Sequence, residues 1–353
     1  MISLYKCPNC GGSMVFMPEK GNFKCEYCTS TFSEEELRGM ELKKQGEQSQ
    51  DFADDSQTEQ TGEDVAFYNC PQCGAQIACP STQMVNTCFY CHNSVIRAEA
   101  ADKDFKPDLI IPFEISKEKA TQTFLKWAQK HKFVPNNFFC KEQIENLTGV
   151  YYPYWLTSVN ADCAATFKAE KVDRRVSGNI EYVTTRNFAV NRSGAMNFPN
   201  MANKALKKAD TRFVESVLPF NWESLKPYTG AYLLGFQAEC RDTDKAELQE
   251  IVDENVNNYA SSILYNSVSG YTSVKTENCS VKKTSEEWNY ALLPIWTITY
   301  RGNKGKIYSF ALNGQNGASC GELPVSGKKL FGLFTIVAAV TFAIVSALEY
   351  FLC

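Results

Sequence analysis

Eight cysteines occur in pairs of the form C-x-x-C, and the pairs are grouped two by two. Cys7 and Cys10 are followed after fourteen residues by Cys25 and Cys28, and Cys70 and Cys73 are followed after fourteen residues by Cys88 and Cys91. The second set repeats the first 63 residues further on, flanks included: Y-K-C-P-N-C-G and K-C-E-Y-C match Y-N-C-P-Q-C-G and T-C-F-Y-C. Four thiolates at about 2.3 Å satisfy a tetrahedral zinc ion, and a short hairpin suffices to bring two such knuckles together. Gly11 and Gly74, just after each first knuckle, supply the positive φ that a tight turn around a metal requires. A module of about thirty residues cannot fold on an apolar core alone, so the metal has to stabilise it. The spacing therefore predicts two zinc ribbons and two structural Zn2+ ions, one held by Cys7, Cys10, Cys25 and Cys28, the other by Cys70, Cys73, Cys88 and Cys91.

A complete set of four cysteine ligands leaves no position for water or substrate, which argues against a catalytic metal. His92, directly after Cys91, is read as facing solvent or supporting the ligands, because the first copy has Thr29 there. The chain has only two histidines, no G-x-x-x-x-G-K-[ST] loop and no evident nucleophilic triad, so no enzymatic activity is expected. A formal charge of −4 over 353 residues gives no general attraction to nucleic acid. The first ribbon carries Lys6, Lys20 and Lys24 against Glu19 and Glu26, and the second carries Arg97 alone. Protein contact is thus the favoured role of the ribbons, with nucleic-acid binding as the alternative. The remaining seven cysteines stand singly, and no charged-then-apolar leader precedes the first knuckle, as expected of reduced thiols in a cytosol.

Five segments are expected to position these residues: a first ribbon over 1–33, an acidic linker over 34–64, a second ribbon over 65–98, a body domain over 99–327 and an anchor over 328–353. The linker holds eleven acidic residues against Arg38, Lys43 and Lys44, too polar to order itself, and reads as a flexible tether after a short helical start at Glu34–Leu42. In the body, Ser116 is placed to cap a helix whose apolar positions are Ala120, Phe124, Trp127 and Ala128, and Asp244 with Glu247 suits a capping box for a longer helix reaching Tyr265. Strands are expected around 149–170, 178–191, 229–240, 271–283, 290–300 and 306–313, which makes the body α+β with antiparallel pairing. G-V-Y-Y-P-Y-W-L from Gly149 and A-L-L-P-I-W from Ala291 echo each other, each with a proline two before a tryptophan. This suggests strands entered at an edge or a bulge with the indoles buried.

Leu330–Leu348 contains nineteen residues without a charge, about 28 Å as a helix against a hydrocarbon core of about 30 Å. Lys328 and Lys329 precede it, so a single pass with the N-terminal bulk in the cytoplasm is expected, with the bilayer contacted through 330–348. Thr335, Ala339, Ala343 and Ala347 lie at spacing four and offer a ridge for self-association through the anchor.

The ordered set of C-P-x-C-G ribbons, G-V-Y-Y-P-Y-W, L-L-P-I-W, Y-S-F-A-L-N-G-Q-N-G and G-E-L-P-V-S before an apolar helix resembles the transcription factor IIB-type zinc-ribbon membrane proteins of Gram-positive bacteria. Members are often labelled as related to the primosomal replication-restart helicase. The resemblance implies a role beside phage-shock protein A and membrane-organising SPFH proteins in envelope stress, and it supports the same eight cysteines as ligands. The expectation for the whole chain is a membrane-anchored adaptor whose ribbons, on a flexible arm, capture a cytoplasmic protein.

Overall fold

The computed structural model describes residues 6–37, 65–80, 85, 87–91, 93, 95–98, 105–135, 147–207, 215–301 and 307–352. The expected tether falls largely outside these residues, apart from a helical turn at 34–37, and His92 lies outside them too.

Two helices follow their capping signals. α1 (Lys117–Gln129) starts where the Ser116 side chain accepts from the Lys119 amide, and it buries Ala120, Phe124 and Ala128, while Trp127 is half-buried. α2 (Lys245–Asn266) has the capping box of Asp244 and Glu247, and it buries Leu248, Val252, Val256, Ala260 and Leu264. At 3.6 residues per turn a spacing of four advances about 40° past a full turn each time, so these five side chains form a stripe that winds slowly around the helix and can follow a twisted sheet face. The third helix, α3 (Gly327–Leu352), exposes its apolar side chains from Leu330 to Leu348.

Short strands precede the first two helices, and long strands follow them. β7 (Leu109–Ile110), α1 and β8 (Thr148–Ser177) form one unit; β11 (Gln237–Glu239), α2 and β12 (Ser273–Arg301) form a second. Each short strand pairs in parallel with the long strand of the other unit: Leu109 faces Ala291 and Gln237 faces Val150. β8 and β12 run antiparallel at the centre of the sheet. Pro153 and Pro294 sit at equivalent places, three residues past these facing positions. On β8 the outer partner changes from β11, ending at Tyr151, to β9 (Ile180–Lys204), starting at Tyr154. On β12 it changes from β7, ending at Leu292, to β13 (Ile307–Asn313), starting at Ile295. A residue without an N–H fits the gap between two partners, so these prolines mark a switch of neighbour inside the sheet rather than an edge. The indoles that follow are buried, as expected.

β8 and β9 continue well past the rest of the sheet and close through Gly178 and Asn179, with Gly178 at φ 61°. At about 3.3 Å per residue, the thirty residues of β8 reach roughly 90–100 Å. β12 joins on the other side of β8 from Ser273 onward, so the strands expected at 271–283 and 290–300 are one strand. The polar run between them only looks like a loop; it carries a register shift between Lys283 and Ser285 and stays paired to β8. The strand expected at 229–240 is confined to β11, with a 3-10 turn at Gly230–Leu233 before it. α2 covers one face of this arm, over Val159, Ala161, Cys163, Ala165, Phe167 and Ala169. The opposite face presents exposed Asn160, Asp162, Ala164, Lys168 and Glu170, the alternation of a half-covered antiparallel sheet.

The two cysteine modules are bound to this body in different ways. The first, β1 (Met14–Met17), β2 (Asn22–Cys25) and β3 (Thr31–Phe32), keeps its own sheet but packs Phe16 and Phe23 on Tyr232, with ring centroids 5.2 and 6.1 Å away. The Phe16 amide also donates to the Leu234 carbonyl at 3.1 Å. The second, β4 (Val65–Asn69), β5 (Gln76–Pro80) and β6 (Ile96–Ala98), lengthens the body sheet through β5 against β11. The expectation of ribbons held out on a mobile arm therefore needs correcting. Their aromatic and backbone groups are used in packing against the body, and the projecting element is the β8–β9–β12 arm.

Candidate metal centres

Each knuckle is built by the same backbone device. The Cys7 amide donates to Gly12 O at 2.8 Å and the Gly11 amide to Cys7 O at 2.8 Å; the Cys70 amide donates to Ala75 O and the Gly74 amide to Cys70 O, both at 2.9 Å. Gly11 and Gly74 take φ of 72° and 74°, as their positions require. The second knuckles repeat the turn, with Cys25 donating to Ser30 O at 2.9 Å and Cys88 to Asn93 O at 2.8 Å. Thr29 takes φ 59° there, in the left-handed region that glycine fills in the first knuckle.

These turns bring all eight predicted ligands into two groups of four, and within each group the sulfurs lie within 4.8 Å of one another. Cys7 and Cys28 are 3.5 Å apart, as are Cys10 and Cys25; Cys70 and Cys91 are 3.5 Å apart, and Cys73 and Cys88 3.6 Å. A tetrahedron with metal–sulfur bonds of about 2.3 Å has sulfur–sulfur edges of about 3.8 Å, whereas a disulfide needs about 2.05 Å. The spacing thus fits ligands around a metal ion and not bridges, and the two clusters can each hold one.

The electrostatics of the thiols point the same way. Hydrogen bonding from Ser30, whose Oγ lies 3.2 Å from the sulfur, pulls Cys28 down to about 6. Its neighbour Cys88 pulls Cys73 down to about 5. Cys10 is pushed up to about 12: the Gly12 amide favours its thiolate, but the crowding of Cys28 and Cys25 outweighs it. Cys88 is pushed far up by Cys73 and by burial. Four thiols crowded together cannot all ionise, and a divalent cation at their centre removes that conflict.

The clusters differ in their surroundings. In the first, Cys7 and Cys25 are buried and Cys10 and Cys28 exposed; in the second, only Cys73 is not fully buried. Beside the second cluster Phe89 and Tyr90 pack on Tyr152, and the Thr299 hydroxyl donates to Phe89 O at 2.7 Å. Cysteine spacing identified the two clusters but not the groups that support them. Ser30, and Asn93, whose amide lies 3.4 Å from the Cys91 sulfur, occupy equivalent places after the second knuckle of each copy, and only that shared offset in the sequence marks them.

No family model matches the chain. No solved structure matches it either. The chain is similar to a Bacillus subtilis (strain 168) protein described as the uncharacterized protein YdjG, with 30% identity over 342 residues, 97% of this chain and 96% of that protein.

Proposed function

Since the chain belongs to the same family as Bacillus subtilis YdjG, we propose that its two cysteine clusters are zinc ribbons serving as structural clamps, and that it is a membrane-anchored adaptor presenting a long arm to a cytoplasmic protein. The observation that carries this reading is that the arm tip and the start of α3 lie at opposite ends of β12. α3 follows β14 (Ser319–Gly321), which pairs with β13 beside the C-terminal end of β12, whereas the arm tip lies beyond the N-terminal end of β12. α3 is long and apolar enough to cross a membrane. With α3 in a bilayer and Lys328 and Lys329 at its cytoplasmic side, the arm holds its tip far from its own anchor, a geometry suited to capturing a partner near the membrane.

The surface offered is the two-stranded end of the hairpin, past the point where β12 stops. Val176, Ile180, Tyr182 and Val183 are each more than half exposed there, among Arg174, Arg175 and Arg186. The ribbons stabilise the base of the arm. A partner of the phage-shock or SPFH type is what the family resemblance of the motifs implies. The test is recovery of partners from solubilised membranes with the full chain and with a chain whose hairpin is shortened by an even number of residues on each strand, keeping Gly178 and Asn179. Undiminished recovery with the shortened arm sinks this reading; steep loss of binding to DNA with rising salt would favour the nucleic-acid alternative.

A further inference from the structure

The loop after α1 and the loop before α3 enclose a cavity of about 450 Å³ just ahead of the first turn of α3. The two loops are tied together: the Ser326 amide donates to Phe133 O at 2.7 Å, and Lys329 Nζ donates to Val134 O at 2.8 Å. Ser326 also starts α3, its hydroxyl accepting from the Lys329 amide. The cavity is therefore fixed to the helix that the proposed function places in the bilayer, and its depth relative to the membrane surface is set by that helix.

Its walls are of two kinds. Trp127, Val134, Leu323 and Pro324 make an apolar interior, and Lys130 and Lys132 stand exposed at the rim. Among the described residues no ion pair holds these two lysines. The volume is that of a small-molecule site, and the apolar-inside, cationic-outside arrangement matches a molecule with an anionic head and an apolar body. A tryptophan at such a level is also what the membrane interface favours. We propose that this cavity binds one anionic phospholipid of the leaflet that α3 enters, with its phosphate between Lys130 and Lys132 and the upper part of an acyl chain beside Trp127. The site rests on the reading of α3 as a spanning helix, and it would make the seating of the body on the membrane depend on lipid charge.

The test uses the full chain reconstituted in nanodiscs containing brominated phosphatidylglycerol or brominated phosphatidylcholine, with tryptophan fluorescence as the readout. Stronger quenching by the brominated phosphatidylglycerol is expected, lost in Trp127→Phe, with the preference falling about fivefold for each lysine removed in Lys130→Gln and Lys132→Gln. Equal quenching by both lipids, or a preference unchanged in the Lys130→Gln/Lys132→Gln variant, overturns the lipid site while leaving the anchor standing. Release of the chain from membranes by alkaline carbonate overturns the anchor and the site with it.

Discussion

Trp155 and Trp296 hold equivalent places in the two crossed units of the body. The indole N–H of Trp155 donates to Thr243 O at 3.0 Å, immediately before the Asp244 cap of α2; that of Trp296 donates to Ile115 O at 2.9 Å, immediately before the Ser116 cap of α1. Each long strand thus pins the start of the other unit's helix. The environments differ in one respect: Arg241 lies over the Trp155 ring at 5.4 Å, while Phe113, at the matching position, has its ring 5.1 Å from that of Trp296.

Replacing either indole by a ring without a donor leaves a buried carbonyl unpaired. Trp155→Phe and Trp296→Phe are each expected to lose about 1–3 kcal/mol, read as a fall in the thermal midpoint of the detergent-solubilised chain. A loss in only one of the two would show that the crossed units are not energetically equivalent.

Gly149, the second residue of β8, lies beneath two aromatic rings. A Cβ there would lie 2.5 Å from Phe236 Cδ1 and 3.2 Å from Trp296. Gly149→Ala is expected to cost about 1–3 kcal/mol through overpacking, and Gly149→Val more. Unchanged stability on denaturant unfolding would mean that Phe236 swings aside freely.

The two proposed zinc sites differ in what their loss should do. Cys10→Ser, on the exposed side of the first cluster, is expected to remove one zinc per chain with the body intact, because that module keeps its own sheet. Cys88→Ser removes the other zinc and also loosens β4, β5 and β6, which belong to the body sheet, so limited proteolysis should reach the body. Elemental analysis showing both ions retained in either variant refutes the ligand assignment.

Glu286 joins the base of the arm to α2. It accepts from Trp288 Nε1 at 2.7 Å, Gln249 Nε2 at 2.8 Å and Lys283 Nζ at 2.5 Å, and Lys283 also reaches Asp253 at 2.6 Å. Burial alone would raise the Glu286 pKa, but these donors outweigh it and hold it below the usual carboxylate value; Lys283 is raised by the same carboxylates against the pull of its own burial. The lowered Glu286 contributes stability that is present above its unfolded pKa and lost as pH falls through its depressed folded value. The raised Lys283 contributes stability present below its unfolded pKa and lost as pH rises through its folded one. Amide protection of α2 should therefore be level at neutral pH and fall in acid, and Glu286→Gln should lower it by about 1 kcal/mol at neutral pH and flatten the acid limb. An acid limb identical in Glu286→Gln would assign it to other carboxylates.

How much of this was legible beforehand depends on sequence distance. The knuckles, the caps at Ser116 and Asp244 and the apolar run of α3 involve residues within a few turns of chain, and each followed its signal. The P-x-W echo signalled buried indoles, but its prolines pointed to an edge or a bulge because the change of neighbour on β8 and β12 cannot be seen from one strand.

The grouping of the cysteines, the helix starts and a span long enough for a bilayer are determined by the sequence itself, since turn geometry, hydrogen-bonded caps and hydrocarbon thickness act over short stretches. Alternation along Val159, Ala161 and Cys163 says that a strand has a covered face; it does not say what covers it. That α2 lies there, that β7 and β11 cross to each other's long strands, that the second cysteine module completes the body sheet, and that β8 runs on from Val159 to Ser177 as an arm of roughly 60 Å were decided only by tertiary structure. Backbone hydrogen bonding between strands is the same for any pair, so partners distant in sequence are selected only when the whole core packs together.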